Sequence, residues 1–278
     1  MKRLMLAFAA LSLGGCGGQA AGRLPPIAPG ARYVAMGSSY AAGAGIGPLQ
    51  QGAPARCQRT TNNYASLAAK QMYLVLVDAS CGGATTTHLL EPWEELPPQI
   101  DAVTADTKLV TVTVGGNDLG FVMTLFGGSC RAGVSLRPGP CAPASSPDEA
   151  QLAKVEAGLR AVARAVHARA PGAVLVFVQY LTVVPPMKCK DGVVTPEDAQ
   201  IAAQTARRLA EITARVAAEE GARLLPADTL SRDHTPCSAE PWSHGLFMGY
   251  DMKQGAPWHP NAAGHAAIAR ELVRLLSR

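Results

Sequence analysis

The distribution of apolar positions along the chain alternates between two periods. Short, mainly apolar runs recur at Tyr33–Met36, Tyr73–Val77, Lys108–Val114, Val174–Val178 and, more briefly, near Arg223–Leu225, and they read as strands. Between them lie longer stretches with helical signals. Thr61 or Asn62 is placed to cap a helix reaching about Met72, and Pro97-Pro98 suits a helix start running to about Val103. Ser146-Pro147-Asp148-Glu149 offers a cap, a proline at the first position and a Glu three residues after the Ser, which predicts a helix to about Ala170, stopped by Pro171-Gly172. Thr195-Pro196-Glu197-Asp198 opens a second long helix to about Glu220, and a final helix runs from about Asn261 to Leu276.

Strands alternating with helices call for long crossover connections, so the sheet is expected to be parallel with helices on both faces. The expected fold is therefore a three-layer α/β/α sandwich with about five parallel strands. Residues 41–59 read as a loop, and 119–146 are the least regular part. The apolar residues Leu119, Phe121, Val122, Leu125 and Phe126 either line an acyl pocket or form the buried face of a short helix. No internal repeat is visible.

Composition narrows the class. With 278 residues, 48% hydrophobic and 17% charged, the chain can bury one sizeable core, and no long linker divides it. The formal charge is +4; without Lys2 and Arg3, 23 basic residues face 21 acidic ones, which leaves no nucleic-acid footprint. The first residues have the form of an export leader: Lys2 and Arg3, an apolar run Leu4–Leu13, then Leu13-Gly14-Gly15-Cys16, which looks like a bacterial lipobox. On this reading residues 1–15 are a lipoprotein signal peptide, Cys16 is lipidated, 16–30 form a flexible tether, and 31–278 are a single domain held at a membrane. The alternative is an ordinary cleaved signal with a chance cysteine.

Candidate chemistry sits at the strand ends. Tyr33–Met36 runs into Gly37-Ser38-Ser39, a tight small-residue turn of the kind that displays a nucleophile at the carboxyl edge of an α/β sheet. Three further segments complete a pattern: Cys81-Gly82-Gly83, Gly115-Gly116-Asn117-Asp118 and Trp258-His259-Pro260-Asn261. In order and content the four segments resemble the SGNH (GDSL-type) hydrolase family, most closely the secreted actinobacterial lipases and esterases, over most of the chain after about Arg32. The resemblance implies a flavodoxin-like sandwich, a serine nucleophile at Ser39, a general base at His259, and an oxyanion hole made by the backbone N–H of Ser39, the backbone N–H of Gly83 and the side-chain amide of Asn117. Gly82 takes the place of Gly83 if the register slips by one. No cofactor is implied, and the implied substrate is a small-molecule or lipid ester met by a monomer.

Two departures from that pattern matter. Ser38 stands where these proteins usually carry Asp, which leaves two adjacent hydroxyls; register favours Ser39. The Asp expected three residues before the histidine is Ala256 here. The imidazole is then expected to be held by the Ala256 backbone carbonyl, giving a Ser-His dyad, or by a carboxylate from Asp251 or Asp233. His88, His167, His234, His244 and His265 have no such context and read as structural or exposed.

Setting Cys16 aside leaves six cysteines, an even number that favours disulfides in an exported chain, although spacing alone admits many pairings. The related secreted enzymes imply the pairing of neighbours: Cys57–Cys81, Cys130–Cys141 and Cys189–Cys237. No Cys-x-x-Cys or His-rich pair points to zinc. The expected activity is ester hydrolysis, against two alternatives: a carbohydrate acetyl esterase acting on cell-envelope polysaccharide, and an inactive binding lipoprotein.

Overall fold

A computed structural model describes residues 26–186 and 188–277. The leader, Cys16 and the first part of the tether lie outside the described residues. The elements in chain order are β1 (Arg32–Gly37), α1 (Ser39–Ala42), α2 (Tyr64–Met72), β2 (Val75–Asp78), α3 (Thr86–Leu90), β3 (Thr107–Thr113), α4 (Phe121–Arg131), α5 (Glu149–Arg169), β4 (Val174–Val178), α6 (Pro196–Glu219), β5 (Arg223–Leu225), α7 (Ala227–Leu230) and α8 (Ala262–Leu276). The five strands form one parallel sheet in the order β2-β1-β3-β4-β5. Helices α2 and α8 pack together on one face, while α3 against α5 and α5 against α6 build the layer on the other. This is the expected three-layer α/β/α sandwich, with flavodoxin-like strand order.

The strand order reverses between β1 and β3, and a doubly wound sheet opens its crevice at that point, outside the carboxyl ends of the strands. Tyr33, Val34, Ala35 and Met36 of β1 are wholly buried, as are Leu109, Val110 and Val112 of β3, so the two strands that carry the crevice are also the centre of the core. Ser38-Ser39, directly after β1, and Gly115–Asn117, one residue past the end of β3, are thereby fixed at one rim.

Some boundaries differ from the sequence reading, each for a local reason. The second apolar run begins two residues late: Tyr73 is a left-handed helix cap (φ +55°), and β2 is an edge strand with Val75 exposed rather than a buried strand. Pro97-Pro98 starts only a 3₁₀ turn, Gln99–Ala102. Helix α5 is capped by Asp148, which accepts from Gln151 N while Gln151 returns a bond to Asp148 N, so the capping box sits two residues beyond the Ser146 signal. Ala41 and Ala42, at the start of the expected loop, belong to α1, which begins at Ser39. Residues 121–131 are helical, with Phe121, Val122 and Leu125 buried against the core and Met123 turned outward, so the apolar residues there form a buried helix face rather than an acyl pocket.

Among the described residues three disulfides are formed, Cys57–Cys81, Cys130–Cys141 and Cys189–Cys237, closing separations of 24, 11 and 48 residues. No helix among the described residues is long and apolar enough to cross a membrane.

Candidate active site

Ser39 is the first residue of α1, the turn that caps β1, and it is half-buried. Its Oγ lies 2.8 Å from His259 Nε2, a contact made across 220 residues of chain. The other imidazole nitrogen, Nδ1, lies 2.8 Å from the carbonyl oxygen of Pro257. A carbonyl only accepts, so the proton sits on Nδ1, and Nε2 is left as the acceptor for the serine hydroxyl. This corrects the expectation at Ala256: the supporting carbonyl belongs to the residue two before the histidine, not three. The cause is Trp258, whose left-handed backbone (φ +57°) folds the chain back so that the Pro257 carbonyl meets the ring. For a bulky residue this conformation costs on the order of 1 to 3 kcal/mol and persists only where packing dictates it. Packing does so here: Trp258 is fully buried, its Nε1 donates to Ser129 Oγ at 3.0 Å, its carbonyl accepts from Tyr40 Oη, and its N–H donates to His244 O at 2.8 Å. Ala256 instead uses its N–H to bond Ala44 O at 3.1 Å. Asp251 and Asp233 are both exposed, and Asp251 caps Lys253 N, so neither carboxylate serves the imidazole.

His259 is 7% exposed. Burial pulls its imidazole down to about 4, the Pro257 bond opposing and the nearby His244 ring adding to the effect. The ring is therefore neutral, and able to accept a proton, throughout the neutral range.

Ser38, the competing hydroxyl, stands at the same strand end but is turned inward and engaged. It is 1% exposed, its Oγ pairs with Tyr180 Oη at 2.8 Å, and its N–H donates to Thr113 O at 2.9 Å.

The candidate donor amides differ in how far their hydrogens are already engaged. As the first residue of a helix, Ser39 has an N–H with no acceptor within α1. The N–H of Gly82 is spent on Cys57 O at 3.0 Å, which removes it from the alternatives. Gly83 is exposed and takes φ +84°, a conformation that glycine adopts without strain. The Trp93 ring lies 3.2 Å from where a Cβ would project there. Asn117 donates one Nδ2–H to Ala84 O at 2.8 Å, and an amide nitrogen has a second hydrogen to offer. Asp118 joins the same two segments, accepting from Thr86 N at 3.1 Å and from Thr86 Oγ1 at 2.5 Å. The Gly83 turn and the Asn117 turn are thus bolted to each other, and the sequence reading missed that link.

Of the remaining histidines, His88 stacks on Trp93 and helps cap α3, and His234 stacks on Trp242. His265 accepts from Tyr64 N at 3.0 Å. The sequence reading also missed Tyr40 and Tyr180. Tyr180 had a signal to find: a polar aromatic two residues past a fully buried strand stands at the same rim as the other strand ends.

A serine–imidazole pair at the carboxyl edge of a parallel sheet is what a carboxylic-ester hydrolase requires, and that is the class to which the comparisons with known proteins assign this chain. Within that class the chain is a member of the GDSL-like lipase/acylhydrolase family, whose profile matches residues 35–267. It is 30% identical over 255 residues to Lipase 2 of Streptomyces coelicolor, which spans 88% of this chain and 85% of that one. It superposes on the crystal structure of an extracellular lipase from Streptomyces rimosus with a TM-score of 0.67 and 26% identity, over 89% of this chain and all of that one. Phospholipase A1 from Streptomyces albidoflavus shares the fold, with a TM-score of 0.69 at 24% identity, over 90% of this chain and all of that one.

Proposed function

We propose that the protein is an exported, membrane-tethered serine esterase or lipase that works through an acyl-enzyme on Ser39. The observation that carries this reading is the chain Ser39 Oγ, His259 Nε2, His259 Nδ1, Pro257 O, in which both hydrogen bonds measure 2.8 Å. His259 takes the Ser39 proton as Oγ attacks the ester carbonyl, and the carbonyl electron pair moves onto its oxygen. The N–H groups of Ser39 and Gly83 and the Asn117 amide receive that charge, each such donor being worth about 2.7 to 4 kcal/mol in reactions of this kind. Collapse expels the alcohol, which takes the proton from His259. Water, deprotonated by the same imidazole, then cleaves the acyl-enzyme and restores Ser39. The imidazolium formed in both steps points Nδ1–H at the Pro257 carbonyl dipole, a Ser-His dyad with backbone support.

The leader 1–15, lipidation at Cys16 and tether 16–30 place the hydrolase domain 31–278, working as a monomer, at a membrane facing the periplasm or the cell exterior. A chain named extracellular among the structural relatives supports export, and the lipobox-like sequence supports the anchor. The test is an ester panel on the mature protein beside Ser39→Ala. Turnover of medium- and long-chain nitrophenyl esters, lost in the variant, is expected; turnover of acetyl esters alone favours the carbohydrate esterase, and full activity in Ser39→Ala removes the mechanism. Globomycin-sensitive processing and recovery of the wild-type protein with membranes, lost in Cys16→Ala, tests the anchor.

A further inference from the structure

The geometry points to Tyr180 as a positioning residue for ester hydrolysis, one that sets the spacing between the serine turn and the Asn117 turn. The inference rests on the reading of Ser39 and Asn117 given above. Tyr180 is buried just past the end of β4, and its Oη meets two partners: Ser38 Oγ at 2.8 Å and Gly116 N at 3.1 Å. These are the residues immediately before Ser39 and Asn117. One phenol therefore bridges the strand ends that carry two of the three proposed oxyanion donors.

Gly116 N–H donates to Oη, and Oη and Ser38 Oγ share one hydrogen bond in which either hydroxyl can supply the proton. Burial pushes the Tyr180 phenol up from its ordinary range, so it stays neutral wherever the enzyme works. The ring itself is wedged against the backbone: a Cβ at Gly116 would come within 2.6 Å of Tyr180 Cε1. Its other face meets the Tyr40 ring at 4.4 Å, and Tyr40 in turn stands 4.8 Å from the His259 ring and bonds the Trp258 carbonyl. Tyr180 thus contacts the serine and Asn117 segments directly and the histidine segment through one aromatic neighbour. Neither its ring nor its hydroxyl takes part in the chemistry.

Removing Oη leaves the Gly116 N–H buried without its acceptor, and frees the two turns to drift by fractions of an ångström. Oxyanion donors act on the transition state, so the loss should fall on kcat and spare KM. For Tyr180→Phe we expect kcat to drop roughly 10- to 100-fold, the scale on which small misplacements act, with KM within about twofold. The decisive measurement is the same substitution made in an Asn117→Ala background. A residue that works by placing Asn117 costs little once that amide is gone, whereas one that merely supports the fold costs the same factor in both backgrounds. Equal factors, or a wild-type kcat in Tyr180→Phe, overturn the proposal. If Tyr180→Phe does not accumulate as folded protein, Ser38→Ala cuts the bridge from its other end; a loss of kcat of a few fold that vanishes in the Asn117→Ala background supports it, and an equal loss in both, or none, overturns it. Ser39→Ala run alongside separates the two levels: an active Ser39→Ala removes the site itself, while an inactive one beside an unimpaired Tyr180→Phe removes only the role of Tyr180.

Discussion

The imidazole of His259 is oriented by its own backbone, through the carbonyl of Pro257 two residues earlier, 2.8 Å from Nδ1. A carbonyl dipole supplies the tautomer and the ring angle but less electrostatic stabilisation than a carboxylate. On the proposed reading the dyad works without a third side chain. We therefore expect Asp251→Asn and Asp233→Asn to hydrolyse nitrophenyl esters with kcat/KM within about twofold of the parent, since such exposed carboxylates contribute little. A loss of 100-fold in either would mean that a carboxylate reaches the ring during turnover.

Two adjacent hydroxyls separate cleanly by substitution. Ser39→Ala should lower kcat by at least about 10⁴-fold, the scale seen when a serine nucleophile is removed. Ser38→Ala should retain activity within about tenfold, because its buried Oγ faces Tyr180 and not the crevice. Mass spectrometry after reaction with a fluorophosphonate should place the adduct on Ser39.

In the proposed oxyanion role, Asn117→Ala should cost about 10² to 10³ in kcat with little change in KM, because the amide would bond the developing oxyanion and not the ground-state ester. Because Asn117 Nδ2 also donates to Ala84 O, a modest loss of thermal stability should accompany it. A variant with raised KM and unchanged kcat would reassign Asn117 to ground-state binding.

The pH dependence is set by burial. His259 must be neutral to accept the serine proton, and its pKa is pulled down to about 4, so the acid limb of kcat/KM should be centred near pH 4 and not near 6.5. Stability moves in the same sense. His259 and His265, the latter pulled down to about 3, stay neutral in the folded chain, while in the unfolded chain they take up protons below about pH 6.5. The unfolded state then binds more protons, so stability is full above that pH and falls as the pH drops towards 4. Melting curves from pH 7 to 4 should record the fall, and His265→Gln, which keeps an acceptor for Tyr64 N, should flatten it by up to about 1.4 kcal/mol per pH unit.

The Cys57–Cys81 bond closes a separation of 24 residues, and its removal by paired Cys→Ala substitutions should cost roughly 3 kcal/mol. Turnover at low temperature should suffer less than stability, because Gly82 N–H still holds the Gly83 turn to Cys57 O. Denaturant titration beside an ester assay would compare the two effects directly.

Much of this was legible in the chain by itself. The mainly apolar runs at 33–36, 108–114 and 174–178 are strands because the centre of a parallel sheet is buried on both faces, and such burial writes itself into sequence as near-continuous hydrophobic stretches; the short run at 223–225 is a partly buried edge strand. Ser39, Gly83, Asn117 and His259 stood out in the sequence as candidates, in short segments whose residue types match one chemistry, and the fold brings Ser39 Oγ to His259 Nε2. What the chain alone could not yield were relations set by angles and by distance in space. The Pro257 carbonyl replaces that of Ala256 because Trp258 is locked in a left-handed turn by Ser129, Tyr40 and His244, and those contacts span from 14 to 218 positions of sequence. The choice between Ser38 and Ser39 likewise depends on which hydroxyl Tyr180 buries, 142 residues away. Local pattern determines which segments become strands and which residues stand at their ends, since it records burial one residue at a time. Which nitrogen, carbonyl or hydroxyl then faces which is decided only when the packed core fixes the backbone at the rim.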